Sequence, residues 1–187
     1  MANSKSKTGM LGILMGVLIL GLCAMTLAGI FIDEWTVINA ETFLGSGKES
    51  VSFEDYKDSV ADSEGKIDFG GILENFDADD NTSLKSTMVV FGYIAVAVVC
   101  LLTLLYLLKM LLNVGLFRFV TGIVGICALV AGAVLIGVTA SYCDKFLLNF
   151  SIGEVAKAEM AVGLGAYLTS IGAMGAGVAA VIGCAKK

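Results

Sequence analysis

The sequence predicts an all-α membrane protein: a four-transmembrane-helix bundle topped by a small extracellular antiparallel β-sheet. Three observations predict it. First, the 187 residues are 57% hydrophobic and 16% charged, with a mean hydropathy of +0.89; soluble domains carry about 25% charged residues and at most about half apolar ones. Second, four runs are each long enough to cross a hydrocarbon core about 30 Å thick as a helix rising about 1.5 Å per residue. Third, most of the acidic residues gather between the first two runs. A chain this apolar has the buriable surface that disordered segments lack. One membrane domain, 1–187, accounts for the length.

The first span runs from about Gly9 to Ile32 (helix about 9–32). Lys5 and Lys7 precede it, and Thr26-Leu27-Ala28 resembles a signal cleavage site. A secretory core, however, is only about 7–15 residues, so this longer run reads as a span. The loop 33–86 is too long for a bare connector and should hold structure of its own. Trp35-Thr36-Val37-Ile38 is a β-favouring run, Gly45-Ser46-Gly47 reads as a turn, and Ser50-Val51-Ser52-Phe53 reads as a second strand. Lys66-Ile67-Asp68-Phe69 reads as a third, stopped by Gly70-Gly71. Trp35 has two readings: an anchor between sheet and bundle, or an interfacial belt residue at the headgroup level.

Asp77-Ala78-Asp79-Asp80-Asn81 begins like a calcium loop. The EF-hand pattern then needs glycine where Thr82 stands and a glutamate where Met88 stands. The run therefore reads as a solvated acidic turn capping the next helix. The second span runs from about Thr87 to Leu112 (87–112). The third runs from about Leu116 to Tyr142 (116–142), interrupted early by Arg118, and the fourth from about Met160 to Cys184 (160–184). None has an ionisable residue near its middle.

Charge sets the expected orientation. Lys5, Lys7, Lys109, Arg118, Lys186 and Lys187 occupy the N-terminal tail, the second connection and the C-terminal tail, which hold no acidic residue. Residues 33–86 hold 14 acidic and four basic residues. Basic residues in short flanks mark the cytoplasmic side. The expectation is a multi-pass plasma-membrane protein with both termini cytoplasmic and both larger loops outside. The acceptor patterns Asn81-Thr82-Ser83 and Asn149-Phe150-Ser151 then also face outward. No basic footprint for nucleic acid exists beyond these flanks.

In lipid, helices associate by close backbone approach through small residues. Ala161, Gly165, Thr169, Ala173 and Gly177 recur every four residues along the fourth span, and Gly175, Ala179 and Gly183 form a second row. Gly12 and Gly16 on the first span and Ala128 and Gly132 on the third are similar surfaces. Packing within one bundle accounts for them, as does contact between copies. The chain has no histidine, no paired-carboxylate frame and no nucleophile motif, so the sequence calls for no catalytic residue, no metal and no cofactor. Proton relays and ion-coupled transporters need charges inside the membrane, and none is central here. Cys23, Cys100, Cys127 and Cys184 lie in or at the ends of spans, where cysteine acts mostly as a small apolar side chain. Cys143 alone lies near the outer face.

This layout resembles the claudin and peripheral-myelin-protein superfamily: four spans, inside termini, a long first outer loop and Trp35 just past the first span. The second likeness is Asp144-Lys145-Phe146 through Asn149-Phe150, then Lys157-Ala158-Glu159-Met160-Ala161-Val162-Gly163-Leu164-Gly165-Ala166-Tyr167. It is similar to the second outer loop and start of the fourth span in claudins, over about two dozen residues. The loop departs from the family in having neither a Gly-Leu-Trp element nor its two disulfide-forming cysteines. The resemblance implies a left-handed bundle topped by a sheet, associating laterally or with a partner membrane protein. Together, the small-residue helix faces and this likeness mark Trp35, Gly12, Gly16, Glu159, Gly165, Ala173 and Gly177 as structural or interaction residues. The leading expectation is a non-enzymatic claudin-like tetraspan mediating lateral assembly or cell-surface adhesion through its extracellular loops. The alternatives are a small cation channel or transport subunit, in which the acidic loop concentrates cations at a pore mouth, and an accessory subunit of a larger membrane complex. The partners expected are the lipid bilayer and either a second copy or another membrane protein, with no nucleic acid.

Overall fold

The computed structural model describes residues 3–42, 45–61, 66–68, 71–72, 76–77, 80–112, 115–149 and 156–185. Among these the elements are α1 (Asn3–Phe31), β1 (Thr36–Thr42), β2 (Gly45–Val51), α2 (Phe53–Val60), α3 (Asn81–Leu112), α4 (Gly115–Asn149), β3 (Ala156–Val162) and α5 (Leu164–Ala185). Four helical stretches are long and apolar enough to cross a membrane: Gly12–Phe31, Asn81–Leu112, Leu116–Phe146 and Leu164–Ala185. Their outward faces are as apolar as their interior, with Val17, Phe119 and Ile171 exposed. Helices that are hydrophobic all round belong to large cores or to membranes.

The four long helices form a ring in the order α1, α5, α4, α3. The interior holds Met88, Leu102 and Tyr106 of α3, Ala128 and Leu135 of α4, and Ala173 and Ala176 of α5, all buried. Several buried hydroxyls are satisfied within their own helices, while those of Thr87 and Ser170 have no partner among the described residues. Thr26 donates to the Leu22 carbonyl at 2.8 Å, Thr103 to that of Val99 at 2.9 Å, and Thr139 to that of Leu135 at 2.8 Å. A threonine can thus sit inside an apolar bundle without an orphaned donor.

Helix α5 makes two close seams. A Cβ built on Gly165 would lie 2.6 Å from the carbonyl oxygen of Gly29 on α1, and one on Gly172 would lie 2.9 Å from that of Leu22. On its other flank α5 meets α4: a Cβ on Gly132 would lie 2.6 Å from the Ser170 carbonyl oxygen, and one on Gly177 would strike that of Gly125. The row of small residues expected along one face is therefore divided between two neighbours. Steps of four residues drift by about 40° on a helix with 3.6 residues per turn. Over the three steps from Gly165 to Gly177 the row turns by about 120°, from α1 towards α4.

The sheet differs in detail from the expectation. Gly45, Ser46 and Gly47 are not a turn; they pair with Thr42, Glu41 and Ala40 as the start of β2. Ser50 and Val51 are strand, but Ser52 and Phe53 are not. Ser52 is the N-cap of α2, its hydroxyl accepting from the Asp55 amide at 3.2 Å while the Asp55 carboxylate accepts from the Ser52 amide at 2.9 Å. This reciprocal capping box ends the strand and starts the helix. Residues 66–68 are not strand, and 69 and 70 lie outside the described residues.

The third strand is β3, which pairs antiparallel with β1 from Thr36↔Val162 to Thr42↔Ala156. The sheet order is β2-β1-β3. Residues 160–162, expected to begin the last helix, are therefore strand: the exposed ladder of β1 captures their backbone, and α5 begins only at Leu164. At the same end α3 and α4 outrun the expected spans, to Asn81 and Asn149. Asp80 starts α3, its carboxylate accepting from the Thr82 and Ser83 amides at 3.2 and 3.0 Å. Residues 78–79 of the acidic run lie outside the described residues.

Filling a seam tests this packing. Gly177→Ala is expected to lower stability by about 1–3 kcal/mol, the usual range for overpacking a core. Gly12→Ala, whose Cβ would meet nothing within 4 Å, is expected to be neutral or slightly stabilising through helix propensity. Thermal unfolding of the two variants in detergent, followed by circular dichroism, checks the opposite signs.

Candidate functional site

Among the described residues, loop, sheet and bundle are joined around Trp35. The last turn of α1 hands the chain to β1 through residues 32–35, and Trp35 is fully buried there. Its amide donates to the Val51 carbonyl at 2.9 Å, and its own carbonyl accepts from the Gly163 amide at 2.8 Å. One residue earlier, the Glu34 carbonyl accepts from the Gly165 amide at 2.9 Å. Four amide or carbonyl groups at Glu34–Trp35 and Gly163–Gly165 thus tie the entry into β1 to the exit from β3. Gly163 lies so close that any Cβ there would overlap the Glu34 carbonyl, a close approach only glycine permits.

Aromatic side chains extend this joint into the bundle. The Trp35 and Phe53 rings lie 4.6 Å apart, and Phe53 meets Tyr93 of α3 edge-on at 5.4 Å. Gly92 leaves room for Phe53: a Cβ there would lie 2.6 Å from the ring. Three residues further along α2, Tyr56 meets Tyr142 of α4 edge-on at 5.7 Å and shares a 2.6 Å hydrogen bond with the Thr36 hydroxyl. Phe53 and Tyr56 are neighbours on one face of α2, and both are buried. Burial holds the Tyr56 phenol well above its usual range, so it stays a neutral hydrogen-bonding group. The indole Nε1 of Trp35 has no hydrogen-bond partner among the described residues; its packing outweighs that orphaned donor.

The opposite face of α2 is charged. Lys57 lies 3.2 Å from Asp58 and 3.3 Å from Glu54. Those carboxylates, Asp58 first, raise its pKa. Hydrogen bonds from the Ser52 hydroxyl and amide lower that of Asp55. On the sheet, Met160 is buried while its neighbours Glu159 and Ala161 are exposed. Glu159 stands opposite Asn39, which in turn stands opposite Lys48, so one row of polar side chains crosses all three strands.

The residues marked by the sequence separate into three groups. Trp35 and Gly165 meet in the joint, where a Cβ on Gly165 would lie 3.4 Å from the indole. Ala173 and Gly177 lie buried in the bundle. Gly16 packs on α3, its Cβ position 3.1 Å from Met110 and 3.5 Å from Tyr106, whereas Gly12 is open. Glu159 faces solvent, away from all of these. Phe53 and Tyr56 were not singled out from sequence. The signal for them is Ser52-Phe53-Glu54-Asp55, a helix-start pattern with an acidic residue three places after serine.

At the far end of the bundle two cations close the last turn of α5. Lys109 donates to the Gly183 carbonyl at 2.8 Å, and Arg118 donates through Nε to that of Cys184. Cations there satisfy carbonyls that the helix itself leaves open and complement its dipole. Among the described residues no three His, Cys, Asp or Glu side chains are grouped to hold a metal ion. No protein-family model matches the chain, and no curated protein matches it.

Two measurements check the joint. Trp35 is the single tryptophan, so its fluorescence reports the joint directly. Phe53→Ala is expected to red-shift its emission and to cost about 3–5 kcal/mol, as for other buried phenylalanines. Because the folded-state pKa of Asp55 is lowered, its cap contributes fully above the ordinary carboxylate range and is lost as pH falls through the lowered value. Acid titration of Trp35 emission should therefore move towards higher pH in Ser52→Ala, which removes the hydroxyl bond, the larger of the two that hold that pKa down.

Proposed function

We propose that this protein is a non-enzymatic, claudin-like tetraspan of the plasma membrane, with both termini cytoplasmic, that works by lateral assembly or adhesion through its sheet-bearing cap. The observation that carries this reading is the sheet itself. It is built from two segments far apart in sequence, the loop after α1 and the strand before α5, and the Trp35 joint fixes it rigidly to four apolar helices. A rigid polar platform held at one end of a membrane bundle presents a surface to its surroundings. Strand β2 forms one edge of that platform, with residues 46–50 exposed, and an unpaired edge is a template for another strand. Lys48 and Glu49 on the same edge give it charges that limit promiscuous pairing.

The filled interior argues against conduction through a single copy. Leu102, Tyr106, Ala128, Leu135 and Ala173 occupy the centre of the ring, and no charged side chain stands at mid-depth of the four spans. The small-residue rows are largely taken up within the bundle, which leaves association to the cap and to the lipid-facing helix surfaces.

Cysteine scanning of the cap in native membranes tests both halves of the reading. Lys48→Cys is expected to react with a membrane-impermeant maleimide added outside intact cells and to give crosslinked dimers or one dominant heteromeric band. Labelling only after permeabilisation would overturn the orientation. A protein that stays monomeric and partnerless at every cap position would overturn assembly.

A further inference from the structure

The end of the bundle opposite the sheet carries a groove between α4 and α5 of about 440 Å³. Its walls are Phe119, Ile123 and Ile126 of α4 and Val181 of α5, its floor is Gly122, and Arg118 stands at its mouth. The walls face outward: Phe119 is 69% exposed and Ile126 56%. Gly122 gives the groove its depth, since a Cβ there would approach only the Cβ of Cys184, at 4.0 Å.

Arg118 does two things at once. Its Nε caps the Cys184 carbonyl, which fixes the guanidinium at the groove mouth, and both Nη atoms have no hydrogen-bond partner among the described residues. A guanidinium fixed on one side presents its remaining donors as a fork suited to a phosphate diester. Lys109 lies on the same end of the bundle, bonded to Gly183. This end therefore pairs a positive rim with an apolar, lipid-facing channel. A molecule with an anionic phosphate head and a long hydrocarbon tail matches both features. A zwitterionic lipid would bring a second cation towards an already positive rim.

We infer that the α4–α5 groove is a binding site for one anionic phospholipid, its phosphate on Arg118 and an acyl chain along Gly122, Ile123 and Ile126. The inference rests on the proposed membrane insertion of the bundle, not on the proposed assembly through the cap. In it the lipid supplies the counter-charge for a cation committed to closing α5, so occupancy also steadies the last turn of that helix.

The test uses the full chain reconstituted into vesicles of equimolar phosphatidylglycerol and phosphatidylcholine. Flotation of the vesicles is followed by gentle detergent extraction and native mass spectrometry of the retained lipid. Wild type should retain one phosphatidylglycerol in preference to phosphatidylcholine by about tenfold, the scale of one charge-assisted contact. Arg118→Gln should abolish that preference. Gly122→Leu, which leaves Arg118 and its cap in place, should lose retention of either lipid, with helicity by circular dichroism unchanged. Equal retention by all three proteins, or no headgroup preference in wild type, overturns the site. Disulfide dimers of Phe119→Cys that exclude the lipid would also overturn it by giving the groove to a second copy. A protein that does not float with the vesicles overturns the membrane reading and this site with it; one that floats with unchanged lipid retention overturns the site alone.

Discussion

Everything in this molecule depends on how closely α5 lets its neighbours approach. Lipid tails are as apolar as leucine, so inside a bilayer the hydrophobic effect does little to press one helix against another. Contact has to come from dispersion between surfaces that fit, and it strengthens as backbones draw near. Helix α5 supplies two such surfaces, with Gly165 and Gly172 towards α1 and Gly177 towards α4. Both neighbours sit so close that the glycine hydrogens occupy the only space available. Helix α3 then closes the ring with larger side chains, Leu102 and Tyr106 among them.

The same closeness builds the cap. Because α1 and α5 meet near Gly29 and Gly165, the chain leaving α1 and the chain entering α5 emerge side by side. Their backbones find each other at once, in the bonds from Gly163 and Gly165 to Trp35 and Glu34. The ladder between β1 and β3 continues that pairing outward, and β2 folds back to complete the sheet. Helix α2 then covers Trp35 with Phe53 and reaches α4 through Tyr56. The cap is thereby held by the packing of the bundle rather than by a disulfide; the loop from 33 to 86 contains no cysteine.

The two ends of the bundle solve opposite problems. At the sheet end α3 and α4 run on beyond an ordinary membrane thickness, and the Asp80 carboxylate caps the start of α3. At the other end cations close α5, Lys109 from α3 and Arg118 from α4. Negative groups at helix starts and positive groups at helix ends both complement the helix dipole. The same charges that stabilise the termini give the molecule its polarity from end to end. The two proposed surfaces differ accordingly: a polar platform for proteins at one end, and a cationic groove for lipid at the other.

By itself the sequence determined the four apolar helices, the absence of charge at their centres and the distribution of charge between their ends. Those properties are local: they follow from runs of twenty or so residues and need no knowledge of what lies beside them. It also put Trp35 at the head of the first strand run, which in the structure begins one residue later at Thr36, and marked the small residues that recur along α5. Only the tertiary structure decided which neighbour each of those residues meets, because a row spaced by four winds around its helix and passes from α1 to α4. It likewise decided that 160–162 would be strand and not helix. Ala161-Val162 reads as apolar helix in isolation, and becomes β3 because β1 offers it a ladder from more than a hundred residues away. The turn expected at Gly45–Gly47 yielded to the same force: backbone amides near an unpaired strand are worth more hydrogen-bonded than left to local preference. Helix α2 carries its cap in Ser52 and Asp55, but Ser50-Val51-Ser52-Phe53 reads first as a strand, and the partners of Phe53 and Tyr56 lie far away in sequence on α3 and α4.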